Sequence, residues 1–287
     1  MSYIVHKCVE IENVKKSLRP TEEQLLRDYL LQDKYDGCAM VAIRDSDGVK
    51  LLSRTGEAVV SARHIEAALM QLPEGVYLGE YWQQDVPQNV LSGQFRKQDG
   101  AQYPGTNLVI FDYLTSEEWA AGCSDLGYTQ RHSRIPRTLQ PSFAHTLYVA
   151  AAMSASGYES LAEVVKSRTN PGYDGVIFRH PDGKWRRGDN GTNGEIIKIK
   201  PVLSLDLRVV RHEMSFGGKT GRTVYKIVVA LGNGKKQTVG SGVPHRWEDV
   251  PKIGDIVEVE AMSMSAHGLL REPRFKAIRF DKVESDR

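Results

Sequence analysis

From Pro201 onward the chain breaks into five short runs of alternating character, at 205–212, 222–231, 235–239, 255–261 and 274–283, separated by turns rich in glycine. An alternating run has a repeat of two residues, so each run buries one face as a strand and not as a helix. Five strands this short in fewer than ninety residues fit a sheet curled on itself. The expected outcome is a small barrel of the OB type. Pro201 marks its start and divides the chain into residues 1–201 and 202–287.

The first part is mixed. Thr21-Glu22-Glu23-Gln24, after Pro20, is a capping pattern that opens a short helix over 21–31 and runs into an extended segment. Residues 39–44, 49–53 and 76–82 alternate as strands, and Asp45-Ser46-Asp47-Gly48 folds the first two into a hairpin. Residues 61–71 carry helical spacing, with Ile65, Ala68 and Leu69 on one face. The apolar run 108–114 and the stretch 174–178 read as strands, whereas 142–155 and 158–168 read as helices. Past a polar loop at 186–191, Glu195-Ile196-Ile197-Lys198-Ile199-Lys200 places two lysines on one side of a strand and the isoleucines on the other. The expected class is α+β.

At 287 residues the chain has room for two domains. Its apolar runs are too short to cross a bilayer, and Met1-Ser2-Tyr3-Ile4-Val5-His6-Lys7 lacks the core of a secretory signal. Cys8, Cys38 and Cys123 show no metal-ligand spacing. They suit a reducing cytoplasm, which is the host cytoplasm if the source is viral. The net charge of +2 divides unevenly: 202–287 hold 15 Lys+Arg against 11 Asp+Glu, leaving 23 against 25 in 1–201. A basic C-terminal part suits a polyanionic partner.

Lys34-Tyr35-Asp36-Gly37 joins two apolar runs through a tight acidic turn. A lysine where a strand meets a loop becomes a nucleophile if desolvation and neighbouring cations disfavour its ammonium form.

The motifs that follow resemble, in order, those of the ATP-dependent DNA ligases, most closely the small bacteriophage type. Lys34-Tyr35-Asp36-Gly37 resembles family motif I, Ser53-Arg54-Thr55-Gly56 motif Ia, Gly79-Glu80-Tyr81 motif III and Phe111-Asp112 motif IIIa. Asp174-Gly175-Val176-Ile177 resembles motif IV, Lys198-Ile199-Lys200 motif V, and Arg271-Glu272-Pro273-Arg274-Phe275 with Arg279-Phe280-Asp281-Lys282 motif VI. Leu91-Ser92-Gly93-Gln94-Phe95-Arg96 is similar to a segment of the phage enzymes.

The resemblance implies a nucleotidyltransferase (ATP-grasp-like) domain of antiparallel sheets and helices, followed by the OB barrel, with ATP and Mg²⁺ as cofactors. The implied substrate is nicked double-stranded DNA, clamped by a monomer without a membrane. Lys34 takes up AMP and passes it to the 5′-phosphate of the nick, which the 3′-hydroxyl then attacks. Lys198 and Lys200 face the α-phosphate and help to deprotonate Lys34, while Glu80 and Asp174 hold the metal. Gln32 and Phe111 bind the base, Gln32 through its carbonyl, and Glu80 also reaches the ribose. Arg54 meets phosphate or DNA. Arg279, Asp281 and Lys282 orient pyrophosphate as the barrel closes about a hinge at 201–206. Arg96, Lys219 and Arg222 join Arg54 on DNA.

Several positions depart from the family pattern. Ala39 stands where motif I carries an arginine, Gln32 where an acidic residue reads the adenine amine, Leu78 where an aspartate precedes Gly79-Glu80, and Asp174 where glutamate is usual. The missing arginine is shared with RNA ligases, and the terminal barrel with GTP-using messenger RNA capping enzymes. A lapsed nucleic-acid-binding scaffold is the non-enzymatic alternative. The intact Lys34, Glu80, Lys198 and Lys200 weigh against it.

Overall fold

The structure, a computed structural model, describes residues 2–136, 145–168, 172–216, 221, 223–265 and 267–286. It is mixed α+β and divides into two compact units, Met1–Lys200 and Pro201–Arg287.

The first unit carries two five-stranded sheets. One has the order Val9–Glu10, Ile196–Ile199, Tyr173–Arg179, Leu30–Tyr35, Met153–Ser154. The other runs Gly48–Ser53, Cys38–Asp45, Gly75–Trp82, Asn107–Leu114, Leu147–Val149. Leu30–Tyr35 belongs to the first and Cys38–Asp45 to the second, so the Asp36-Gly37 turn carries the chain from one sheet to the other.

The helix expected over 21–31 forms at Glu22–Asp28, where the Thr21 hydroxyl accepts from the Gln24 N–H at 3.2 Å and the Gln24 carboxamide accepts from the Thr21 N–H at 2.8 Å. Arg63–Leu69 buries Ile65, Ala68 and Leu69 as expected. The hairpin pairs Asp45 with Gly48.

The helix expected over 142–155 does not form in its described part. Leu147–Val149 is a strand parallel to Asn107–Leu114, with Leu147 opposite Leu108, and Met153–Ser154 is an edge strand against Leu30 and Leu31. Leu147 is buried and Tyr148 exposed, a two-residue alternation that a helix-spaced reading overlooks. The helix expected at 158–168 spans Leu161–Arg168. Three further short helices, at Gln88–Phe95, Ser116–Ala121 and Tyr128–Ser133, have no counterpart in the sequence reading. Among the described residues no helix is long and apolar enough to cross a membrane.

The second unit is a sheet ordered Lys236–Val239, Thr223–Ala230, Leu203–Phe216, Ile256–Ala261, Arg274–Ile278, folded over a core that includes Leu207, Val229, Val239, Val257 and Val259. All five expected strands are present, although the last ends at Ile278 and not at 283. Among the described residues a lone bridge between Ser241 and Arg274 joins the two edges, with the Phe275 N–H donating to the Ser241 carbonyl at 2.9 Å. The sheet is therefore curled, but no continuous ladder closes it into the expected barrel.

Candidate active site

The three central strands of the first sheet divide polar from apolar chemistry by register. Phe178 lies opposite both Leu31 and Ile197, and these three side chains are buried in one core with Leu25 and Val164. The adjacent row, Lys198, Ile177 and Gln32, points to the other face. Lys34 and Arg179, each two residues along its strand, share that face, as does Lys200 just beyond the strand end.

A bulge places the carboxylate. Asp33 pairs with Val176 and Tyr35 with Tyr173, so Lys34 alone stands against the pair Asp174 and Gly175. Gly175 has φ +103°, and a Cβ there would sit 2.2 Å from the Ile199 carbonyl oxygen and 2.9 Å from the Lys200 Cα. Only glycine lets the two strands approach closely enough for Asp174 to reach both lysines. Asp174 Oδ2 accepts from Lys34 Nζ at 2.6 Å and lies 3.4 Å from Lys200 Nζ. The side chains of Lys34 and Asp174 are 19% and 10% exposed.

This arrangement corrects the expectation that cations keep Lys34 neutral. Burial does push the Lys34 ammonium down, but the charge of Asp174, its hydrogen bond and the charge of Glu80 outweigh burial, and the net shift is upward. In the resting protein Lys34 is an ammonium clasped by Asp174.

Glu80 enters from the second sheet, paired with Ala39. A Cβ on Gly37 would fall 2.2 Å from the Tyr81 carbonyl oxygen and 2.9 Å from Glu80 Cγ, so the turn glycine is what admits this approach. Desolvation pushes the Glu80 carboxyl up to about 8, against the lowering effects of Lys34, Arg54 and the hydrogen bond from the Gly37 N–H.

Beyond Lys34 on the same face, Arg179 Nε donates to Gln32 Oε1 at 2.5 Å. The Arg179 guanidinium lies 4.8 Å from the ring centroids of both Phe111 and Tyr128. Next to Phe111, Asp112 is buried in a two-pronged pair with Arg131, Nε to Oδ1 at 3.0 Å and Nη2 to Oδ2 at 2.9 Å.

Residues 7–200, the stretch that holds all of these groups, match the family model of the ATP-dependent DNA ligase domain. The chain belongs to that family. It is 26% identical to a DNA ligase of Natronomonas pharaonis over 89% of its own length and 52% of the relative's. It is 24% identical to a probable DNA ligase of Streptomyces avermitilis over 67% of its length and 39% of the relative's. The chain thus spans about half or less of these two relatives. Its fold is similar to that of a Lig E DNA ligase structure, with a TM-score of 0.71 at 16% identity, over 96% of this chain and 98% of that one.

Within this ligase-family domain the residues expected to act together are only partly gathered. Lys34, Lys200, Asp174 and Glu80 converge. Lys198 shares their face but pairs with Glu10 at 3.4 Å. Gln32 is present on the same face, and its carbonyl oxygen accepts one hydrogen bond from Arg179, which leaves its second lone pair for another donor. Phe111 is half-buried and stacked by Arg179. Arg54 packs 5.3 Å from the Tyr3 ring and acts on Glu80 through its charge. Arg96 is an exposed residue at the end of the Gln88–Phe95 helix. Lys219 and Arg222 lie outside the described residues.

In the second unit Arg279 and Lys282 are turned toward carboxylates. Arg279 Nη1 lies 3.1 Å from both oxygens of the buried Asp206, Lys282 Nζ donates to the same carboxylate, and Arg279 Nε and Nη2 bind Asp281 at 2.9 and 2.7 Å. The hydrogen bond from Arg279 lowers Asp281 to about 2.

Arg179 and Asp206 were missed in the sequence. Arg179 stands two residues past the motif IV run, and its side is set only by pairing register. Asp206 reads as one more polar residue in an alternating strand.

Proposed function

We propose that this chain is an ATP-dependent DNA ligase that seals nicks in duplex DNA through AMP carried on Lys34. The observation that carries the reading is the half-buried Lys34 amine flanked by Asp174, Lys200 and Glu80, within a domain of the ligase family.

The first step requires Lys34 to lose a proton. Asp174 Oδ2, at 2.6 Å, is placed to take it. The freed lone pair attacks the α-phosphorus of ATP, an N–P bond forms, and the P–O bond to pyrophosphate breaks. Lys200, 3.4 Å from the same carboxylate oxygen, would neutralise the charge that gathers on the phosphoryl oxygens, and Lys198 extends that positive row. AMP then passes from Lys34 to the 5′-phosphate of the nick, and the 3′-hydroxyl displaces it.

Glu80 and Asp174 offer hard oxygens that suit Mg²⁺, whose bound charge would screen the triphosphate. The residues fit such an ion, because Glu80 is held near neutrality and Asp174 by cations, and both are relieved by a divalent partner. Phe111 gives the base a half-exposed ring. The second unit is read as an OB-type module whose Arg279, Asp281 and Lys282 orient pyrophosphate, with a hinge at 201–206, a basic surface for DNA and Arg54 and Arg96 on the DNA side. The chain acts as a monomer clamping the duplex. Free Cys8, Cys38 and Cys123 suit work in the cytoplasm.

The test is incubation with labelled ATP and Mg²⁺, followed by a nicked substrate built from DNA or RNA strands. The expected results are a covalent AMP adduct that Lys34→Ala abolishes and sealing of the DNA nick. An adduct that survives Lys34→Ala overturns the assignment. Labelling by GTP alone moves it to capping, and sealing confined to RNA strands moves it to RNA ligase.

A further inference from the structure

Tyr3 and Lys7 lie on an N-terminal segment that is fastened to the first unit along its length. The Ile4 N–H donates to the Arg54 carbonyl at 2.9 Å, and the Lys7 N–H to the Asp189 carbonyl at 3.1 Å. Ile4 and Val5 pack against the core that includes Val41, Leu78 and Trp185. A Cβ on Gly191, at φ +74°, would sit 2.2 Å from the Lys7 carbonyl oxygen, so this stretch of backbone is closely seated. On that fixed segment two cations meet one ring. Lys7 Nζ lies 3.9 Å and the Arg54 guanidinium 5.3 Å from the centroid of the Tyr3 ring. The ring attracts each of them, but the two charges are at most about 9 Å apart and repel each other. Lys34, Lys198 and Lys200 each have a carboxylate as partner. Lys7 has a neutral one, the Asn190 carboxamide oxygen at 3.2 Å, and among the described residues neither Lys7 nor Arg54 forms an ion pair.

We propose that Tyr3, Lys7 and Arg54 form a binding site for the phosphate backbone of duplex DNA, with Lys7 as a phosphate contact and Tyr3 as the platform that holds both cations in place. The substrate is the one assigned by the ligase reading above, on which the site rests. Cations without counterions are what a polyanion neutralises, releasing its own condensed ions as it binds. Arg54 is exposed and Lys7 half-buried. That suits a strand laid along the surface better than a nucleotide, which a pocket encloses. Ammonium and guanidinium groups on phosphates carry no sequence information, so the site holds all sequences alike.

The experiment measures binding of the full chain to a nicked DNA duplex by fluorescence anisotropy, in EDTA so that no chemistry occurs, across about 50–200 mM salt. The variants are Lys7→Gln, Lys7→Arg, Tyr3→Leu and Tyr3→Phe. Loss of one phosphate contact should make the slope of log affinity against log salt shallower by about 0.9 for Lys7→Gln, so its deficit against the parent shrinks about three- to fourfold across that range. Lys7→Arg keeps the charge and should keep the parent slope. Tyr3→Leu removes the ring and should weaken binding about two- to fivefold at the lowest salt, whereas Tyr3→Phe should match the parent. Titration with inorganic tripolyphosphate separates the two sources of phosphate, and Lys7→Gln should cost more affinity on DNA than on tripolyphosphate. The site is overturned if the Lys7→Gln slope equals the parent's, if Lys7→Arg loses slope as Lys7→Gln does, if Tyr3→Phe binds as weakly as Tyr3→Leu, or if the tripolyphosphate loss matches the DNA loss. A shallower Lys7→Gln slope in a chain that forms no AMP adduct supports the site and counts against the ligase reading. An unchanged slope in a chain that forms the adduct overturns the site and leaves the ligase reading standing.

Discussion

Replacing Glu80 by glutamine should make the protein progressively more stable than the parent as pH rises. The Glu80 carboxyl ordinarily titrates at 4.5 and is pushed up to about 8 in the fold by desolvation. Below pH 4.5 it is protonated in both the native and the unfolded chain, and it favours neither. Between 4.5 and 8 only the unfolded chain ionises, so native stability declines as pH rises through that window and levels off above 8. At about 1.36 kcal/mol per pH unit, the full gap corresponds to at most about 5 kcal/mol, of which about 3 kcal/mol accrues between pH 5.5 and 9. Glutamine does not titrate, and its carbonyl can still accept the Gly37 N–H. Urea unfolding of both proteins at pH 5.5, 7 and 9 should show the difference in unfolding free energy growing by about 2–3 kcal/mol in favour of Glu80→Gln. A difference that stays flat across this range would mean that Glu80 is ionised throughout, and the desolvation argument would fail.

Two further outcomes follow from the same site. Asp174→Asn removes the charge that raises Lys34, so burial prevails and the amine should titrate below its ordinary value; the pH dependence of Lys34 acetylation, read by mass spectrometry, should move to lower pH, and an unchanged profile would refute the clasp. Gly175→Ala forces a Cβ to within 2.2 Å of the Ile199 carbonyl at φ +103°, which should cost about 3 kcal/mol or more in chemical denaturation; a loss below about 1 kcal/mol would show that the bulge relaxes without strain.

Much of the fold was legible because it rests on local signals. The Thr21–Gln24 capping box, the Asp45–Gly48 turn and the alternation beyond Pro201 each lie within a few residues, and each forms as expected. Leu147–Val149 was not legible because its strand character depends on Leu108, some forty residues earlier, as a partner. The site divides in the same way. That Lys198 and Lys200 share a face follows from alternation within one strand. The clasp on Lys34 does not, because it needs the bulge that sets Asp174 against Lys34 across 140 positions of chain. Nor could sequence spacing tell that the Gln32 oxygen is already engaged, since its partner is 147 positions away.

Asp206 ties down more than two cations. The Asp286 N–H donates to the Asp206 carbonyl and the Asp206 N–H to an Asp286 carboxylate oxygen, each at 2.7 Å, so the first strand of the second unit and the tail after Lys282 are stitched side by side. Asp206 lies only five positions past Pro201. Arg279 and Lys282, 73 and 76 positions away in sequence, are thus held against that first strand. The start of this unit and two basic residues near its end share one buried carboxylate.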